Sequence, residues 1–234
     1  MATTISTNNR AASDDPRLLV RAGQTIWEHL PLLLLIDIAI MMAVFPAVVL
    51  MAGGLPYLAL VAGAIATGPV LAGAFAAADR LNRDYVVTMS TYARLVRCHA
   101  LRGVAVMVVP GLVAMVLVTL LDALSRYPEA TWLMIPVLLD CSVAIIVAVA
   151  GVAVFSLATT GELRGWRLWR ASLAVGVAQP LATFGALALL VVLAFLVQRA
   201  GFVLLAVIPA PCAVVFSAMS WATVERYESG RDAQ

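Results

Sequence analysis

There is no lysine anywhere in the chain, and all fifteen of its cations are arginine. A phosphate loop of the Gly-x-x-x-x-Gly-Lys-[Ser/Thr] kind is thereby excluded, because it needs a lysine ammonium to reach the phosphates. Charge as a whole is scarce, at 12% of 234 residues, against 63% hydrophobic and a mean hydropathy of +1.01. Soluble domains carry roughly 25% charged residues, so a water-soluble fold is excluded. The two histidines, His29 and His99, lack a second ligand at i+3 or i+4, and no His-Glu-x-x-His or Gly-x-Ser-x-Gly is present. Cys98, Cys141 and Cys212 are too far apart to show a metal spacing or a disulfide framework and read as packing residues. A net charge of +2 is too small to point to nucleic acid. The residues predict no catalysis, no metal and no cofactor.

What the chain has is long apolar runs. A bilayer core of about 30 Å requires about 20 mostly apolar residues per helical crossing, with the backbone hydrogen bonds satisfied inside the segment. Six segments qualify, at about 30–52, 56–78, 103–121, 132–160, 171–197 and 201–222. They predict an all-α polytopic membrane bundle over residues 23–224, with a polar leader at 1–22 and a tail at 225–234. The leader carries Asp14, Asp15 and, further on, Glu28 ahead of the first apolar run, unlike a short basic signal peptide, and is read as uncleaved. The breaks carry turn chemistry: Gly53-Gly54-Leu55-Pro56, Asp122 to Thr131 with Pro128, and Gln198 to Gly201.

Cytoplasmic loops collect arginine. One side of the predicted bundle holds Arg10, Arg17, Arg21, Arg80, Arg83, Arg94, Arg97, Arg102, Arg164, Arg167, Arg170, Arg226 and Arg231; the other holds Arg126 and Arg199. Both termini are therefore expected in the cytoplasm. Trp27, Trp132, Trp166, Trp169 and Trp221 lie at or near the predicted helix ends, where an amphipathic ring favours the headgroup level. Arg-Leu-Leu-Val-Arg at 17–21, Arg-Leu-Val-Arg at 94–97 and Arg-Leu-Trp-Arg at 167–170 mark three cytoplasmic entries. Three parallel hairpins, helices 1–2, 3–4 and 5–6, would account for them; so would the general attraction of membrane entries for arginine.

Three features bear on function. Within residues 79–97, Leu81, Tyr85, Met89, Tyr92 and Val96 recur at helical spacing between Arg80, Arg83, Arg94 and Arg97, predicting one cytoplasmic amphipathic helix. Such a helix docks a partner, lies on anionic lipid, or packs on its own bundle. Asp37 and Asp140 fall inside apolar runs, where an ionisable group is expensive and hence a functional candidate. Each lies some 10–12 Å deep from opposite faces at 1.5 Å per residue, an offset that disfavours a shared-proton pair. Their flanking residues lack the Tyr-Asp and Gly-x-Gly-Asp signatures of intramembrane aspartyl proteases. Gln179-Pro180 and Thr67-Gly68-Pro69 supply polar groups and freed carbonyls that either line a cavity or relieve a kink. Asp37, Asp140 and Gln179 together form the candidate polar cavity. Gly63, Ala66, Gly73 and Ala77 permit close helix contact within the chain or between copies.

Thr67-Gly68-Pro69-Val70-Leu71-Ala72-Gly73, Tyr92-Ala93-Arg94-Leu95-Val96-Arg97 and Trp166-Arg167-Leu168-Trp169-Arg170 together give the chain a resemblance to the YesL-like family, across about residues 20 to 225. These are small bacterial integral membrane proteins frequently encoded beside carbohydrate-uptake ABC transporters. The longer polar leader and sparse aromatics depart from the family pattern. The resemblance implies a cell-membrane accessory or regulatory role in carbohydrate or other solute uptake, in contact with permease or ATPase subunits. It does not imply the permease itself: that class carries a cytoplasmic Glu-Ala-Ala-x-x-x-Gly motif, and the Glu-Ala pair here, Glu129-Ala130, falls on the outer side. The alternative is a small secondary transporter or channel using the intramembrane acids.

Overall fold

In the computed structural model, the described residues are 23–83, 85–127, 129–160, 165–178, 183–185, 187–188, 192, 195 and 209–217. All their regular structure is helical. We number the helices α1 (Leu30–Ala52), α2 (Pro56–Asn82), α3 (Met89–Arg126), α4 (Met134–Thr160) and α5 (Trp166–Ala178). A single 3-10 turn, Thr131–Leu133, precedes α4. Residues 23–28 and 209–217 are also helical. Among the described residues four spans, Leu30–Ala52, Pro56–Asn82, Met89–Arg126 and Thr131–Gly151, are long and apolar enough to cross a bilayer.

Local chemistry sets the boundaries. α1 ends in a Schellman motif: Leu55 N–H reaches Leu50 O at 3.0 Å and Gly54 N–H reaches Met51 O at 3.1 Å, with Gly54 at φ 75°. That left-handed position is the one glycine fills without a Cβ penalty. Pro56 then opens α2, where its missing N–H costs nothing. α2 stops at Asn82, and Thr88 caps α3 by accepting from Thr91 N–H at 3.3 Å.

The expected amphipathic helix over 79–97 is corrected by this boundary. Leu81 belongs to α2, the chain leaves the helix before Tyr85, and Met89, Tyr92, Arg94, Val96 and Arg97 belong to α3. α3 itself runs on without a break into the predicted 103–121 span. Its 38 residues measure about 57 Å, well beyond the apolar thickness of a bilayer.

α2 and α3 share the most extensive interface, and it crosses the boundary between the first two expected hairpin units. A Cβ built on Gly68 would lie 2.7 Å from Gly103 O, so the two backbones touch there through glycine alone. Further along the same interface, Val96 fills the space at Gly73. Phe75 of α2 stacks on Phe155 of α4 with ring centroids 5.4 Å apart, and Gly176 of α5 seats Val149 of α4.

The core is not evenly spread. Its buried residues come from 33–40 of α1, 72–81 of α2, Val87 of the following connection, 92–106 of α3, 153–158 of α4, Leu168 of α5 and 210–216. In helices that alternate in direction these are the halves at the Arg80, Arg83, Arg94 and Arg97 end. The opposite halves present exposed Met42, Phe45, Ile65, Leu112, Val116 and Ile145, as a lipid-facing surface does.

Candidate functional site

One face of α1, Leu33, Ile36, Asp37 and Ile40, turns into the core at the i, i+3, i+4, i+7 spacing of a helix. Asp37 sits on that face with no solvent exposure at all. Its Oδ1 accepts a hydrogen bond from Ala210 N–H at 2.6 Å, across 173 residues of chain. Oδ2 has no partner among the described residues.

The donor is unusual. Ala210 lies between Pro209 and Pro211, neither of which has an amide hydrogen. The Ala210 N–H between them goes to the acid of α1. Asp37 thus satisfies a backbone donor at a proline-flanked position of the helical stretch 209–217, the C-terminal helix. Tyr92 of α3 is buried in the same core as the flanking residues of α1, and Cys212, two residues beyond Ala210, packs against that core. The Tyr92 hydroxyl donates to Val70 O at 3.3 Å, so α1, α2, α3 and the C-terminal helix meet around this group.

Among the described residues no cation pairs with Asp37. A hydrogen bond from an amide to a charged carboxylate contributes about 1.5–3 kcal/mol, whereas an uncompensated buried ion costs several kcal/mol. The single amide does not offset the burial of a full negative charge.

The other expected members do not join it. Asp140, in α4, is half-buried and makes no hydrogen bond to Asp37; its Oδ2 also lacks a partner among the described residues, and its neighbours Leu138 and Leu139 are exposed. Gln179 lies outside the described residues, although Thr183 Oγ1 donates back across that stretch to Gly176 O at 2.8 Å. Thr67-Gly68-Pro69 does not break α2: Thr67 Oγ1 donates to Gly63 O at 2.6 Å and Gly68 serves the α3 crossing.

The docking stripe divides. Leu81, Tyr92 and, in part, Val96 pack into the bundle's own core, while Arg94 and Arg97 are exposed. Tyr85 and Val86, in the connection between α2 and α3, are 63% and 83% exposed, and Met89 follows at the helix start. At the other end of the bundle, Gly54, Leu55, Pro56, Tyr57, Leu58, Val118, Asp122 and Arg126 line an open cleft of ≈ 410 Å³, with the Asp122–Arg126 pair at 3.0 Å on its rim.

The residues that sequence reasoning missed are Ala210 with its flanking prolines, Tyr92 as a neighbour of Asp37, and Gly103. The prolines were a usable signal: two of them two apart in an apolar run leave one amide hydrogen between them. Comparison of the chain with protein-family models, with curated proteins and with solved structures gave no match.

Proposed function

We propose that the chain is a six-helix protein of the bacterial cell membrane with both termini in the cytoplasm. On this reading it is a non-enzymatic accessory or regulatory component of an ABC transport system for carbohydrate or another small solute. The arrangement that carries the reading is the connection between α2 and α3. It projects Tyr85 and Val86 from between two helices whose backbones are held together at Gly68 and Gly103, with Arg80, Arg83, Arg94 and Arg97 around it. An apolar tip with the exposed Arg80, Arg94 and Arg97 on the helix ends beside it, Arg83 being paired with Asp79 at 3.3 Å, suits a partner that buries the tip and presents acids to those cations. The excess of arginine on this side supports a cytoplasmic location. The helical stretches 166–178 and 209–217 fall in or beside the fifth and sixth apolar segments and support six crossings.

Affinity capture of the full chain in mild detergent tests the proposal. A permease or ATPase subunit is expected to co-purify, and Val86→Asp is expected to abolish its recovery while leaving the bundle intact. Recovery of no transporter subunit by the wild-type chain would sink the idea.

A second reading, a small secondary transporter with an acid in its pathway, is favoured by one observation: the fully buried Asp37 bonded to a proline-flanked backbone amide of another helix. Solute uptake into proteoliposomes by the purified protein alone, lost in Asp37→Asn, would establish it.

A further inference from the structure

We propose that Asp37 is a proton-binding site, and that its occupancy is communicated to the C-terminal helix through Ala210. The site is the one on which the transport reading turns, and the inference rests on that reading only for its use in coupling; proton binding itself is read without flux.

Geometry carries the argument. The carboxyl has no solvent exposure, one amide donor and no cation among the described residues, and its second oxygen is without a partner there. A neutral acid fits this environment: its carbonyl oxygen accepts from Ala210 N–H, and the proton occupies the other oxygen. Removing the proton leaves a charge that no described residue compensates, so the ionised state needs water or a rearrangement that brings further donors. The part placed to respond is the segment bearing Ala210, because Pro209 and Pro211 deprive it of neighbouring amide bonds. The titratable groups brought near Asp37 are Tyr92 from α3 and Cys212 from the C-terminal helix itself. α2 contributes no titratable side chain from Thr67 to Ala78, and its first charges are Asp79 and Arg80 at its end.

Cys212 makes the coupling measurable. All three cysteines are free thiols, so Cys98→Ser with Cys141→Ser leaves Cys212 as the sole reporter in the full chain, reconstituted in lipid nanodiscs. Two measurements apply. Infrared difference spectra are expected to show the carbonyl band of a protonated carboxylic acid that disappears in Asp37→Asn, persists in Asp140→Asn, and titrates away as pH rises. Maleimide labelling of Cys212 is expected to rise with pH several-fold more steeply than in the same background carrying Asp37→Asn; a negative charge gained at Asp37 can only hold back a neighbouring thiolate, so a steeper rise reports greater access to the thiol.

Absence of an Asp37-dependent carboxyl band at every pH where the protein stays folded would overturn proton binding. Equal pH profiles of labelling with and without the Asp37→Asn substitution would overturn the communication to the C-terminal helix. Should Asp37→Asn not fold, Asp37→Glu takes its place: a carboxyl band whose frequency and titration are unchanged by that substitution would overturn proton binding at this residue. A bound proton with no solute uptake in proteoliposomes would leave this inference standing and remove the transport reading.

Discussion

Adding a single methyl group at Gly68 is the most direct test of how the bundle is held together. Helix propensity alone makes Gly→Ala favourable by about 1 kcal/mol in a helix interior. At Gly68, however, the new Cβ would lie 2.7 Å from Gly103 O and 2.8 Å from Gly103 C. Ordinary contact begins at 3.4 Å, so α2 and α3 must part by about 0.7 Å, and the obstacle is backbone that has no rotamer to change. Parting there also disturbs Val96 against Gly73 and stretches the 3.3 Å bond from Tyr92 to Val70 O. Overpacking of this kind costs about 1–3 kcal/mol, and with immovable atoms on both sides the upper part of that range applies, leaving a net loss of about 2 kcal/mol after the propensity gain. Gly151, inside α4 with nothing within 4 Å of a built Cβ, is the matched control: Gly151→Ala collects the propensity gain alone. Unfolding in mixed micelles, followed by far-ultraviolet circular dichroism, should therefore separate the two variants by about 2–3 kcal/mol in opposite directions from wild type. If Gly68→Ala is as stable as Gly151→Ala, the glycine contact is not what holds α2 to α3.

Gly54→Ala forces a Cβ into a left-handed position at φ 75° and is expected to cost about 1–2 kcal/mol in the same assay, whereas Gly53→Ala, one residue earlier at φ −75°, should be tolerated. Thr88→Ala removes the acceptor for Thr91 N–H at the head of α3 and should cost about 1 kcal/mol, seen as faster amide exchange over the first turn of that helix. Asp37→Ala strands the Ala210 N–H in the core and should cost about 1–3 kcal/mol, while Asp37→Asn, which keeps a carbonyl acceptor in place, should cost much less; equal losses would mean that the 2.6 Å bond is not the source of the effect. A reporter fused after Gln234 that is active only in the cytoplasm should light up, and one inserted at Gly54 should not.

Much of the fold was legible where punctuation was strong. The 30–52 and 56–78 segments correspond to Leu30–Ala52 and Pro56–Asn82 because glycine and proline mark the turn between them chemically. The reading failed at 79–97, where Leu81, Tyr85, Met89 and Tyr92 fit a helical period by spacing while the helix is in fact interrupted. The signal that should have outweighed the period is Thr88 ahead of Ser90 and Thr91, a capping cluster that starts a helix rather than continues one. Nor does anything between Arg97 and Gly103 break a helix, which is why α3 runs through. At the candidate site, Asp37 was legible because an acid in an apolar run stands out, but its partner was not: it is a main-chain amide, which every residue but proline possesses, and only the flanking prolines single it out.

The bond between Asp37 and Ala210 also has a consequence for how the protein is made. Its two ends are separated by 173 residues, and at synthesis rates of about 5–20 residues per second the acid leaves the ribosome roughly 9–35 s before its amide does. Through that interval the first helix carries an acid whose partner does not yet exist, in a bilayer that penalises it. An early segment is thus completed by a much later one, and a chain truncated before Pro209 would leave Asp37 without its donor.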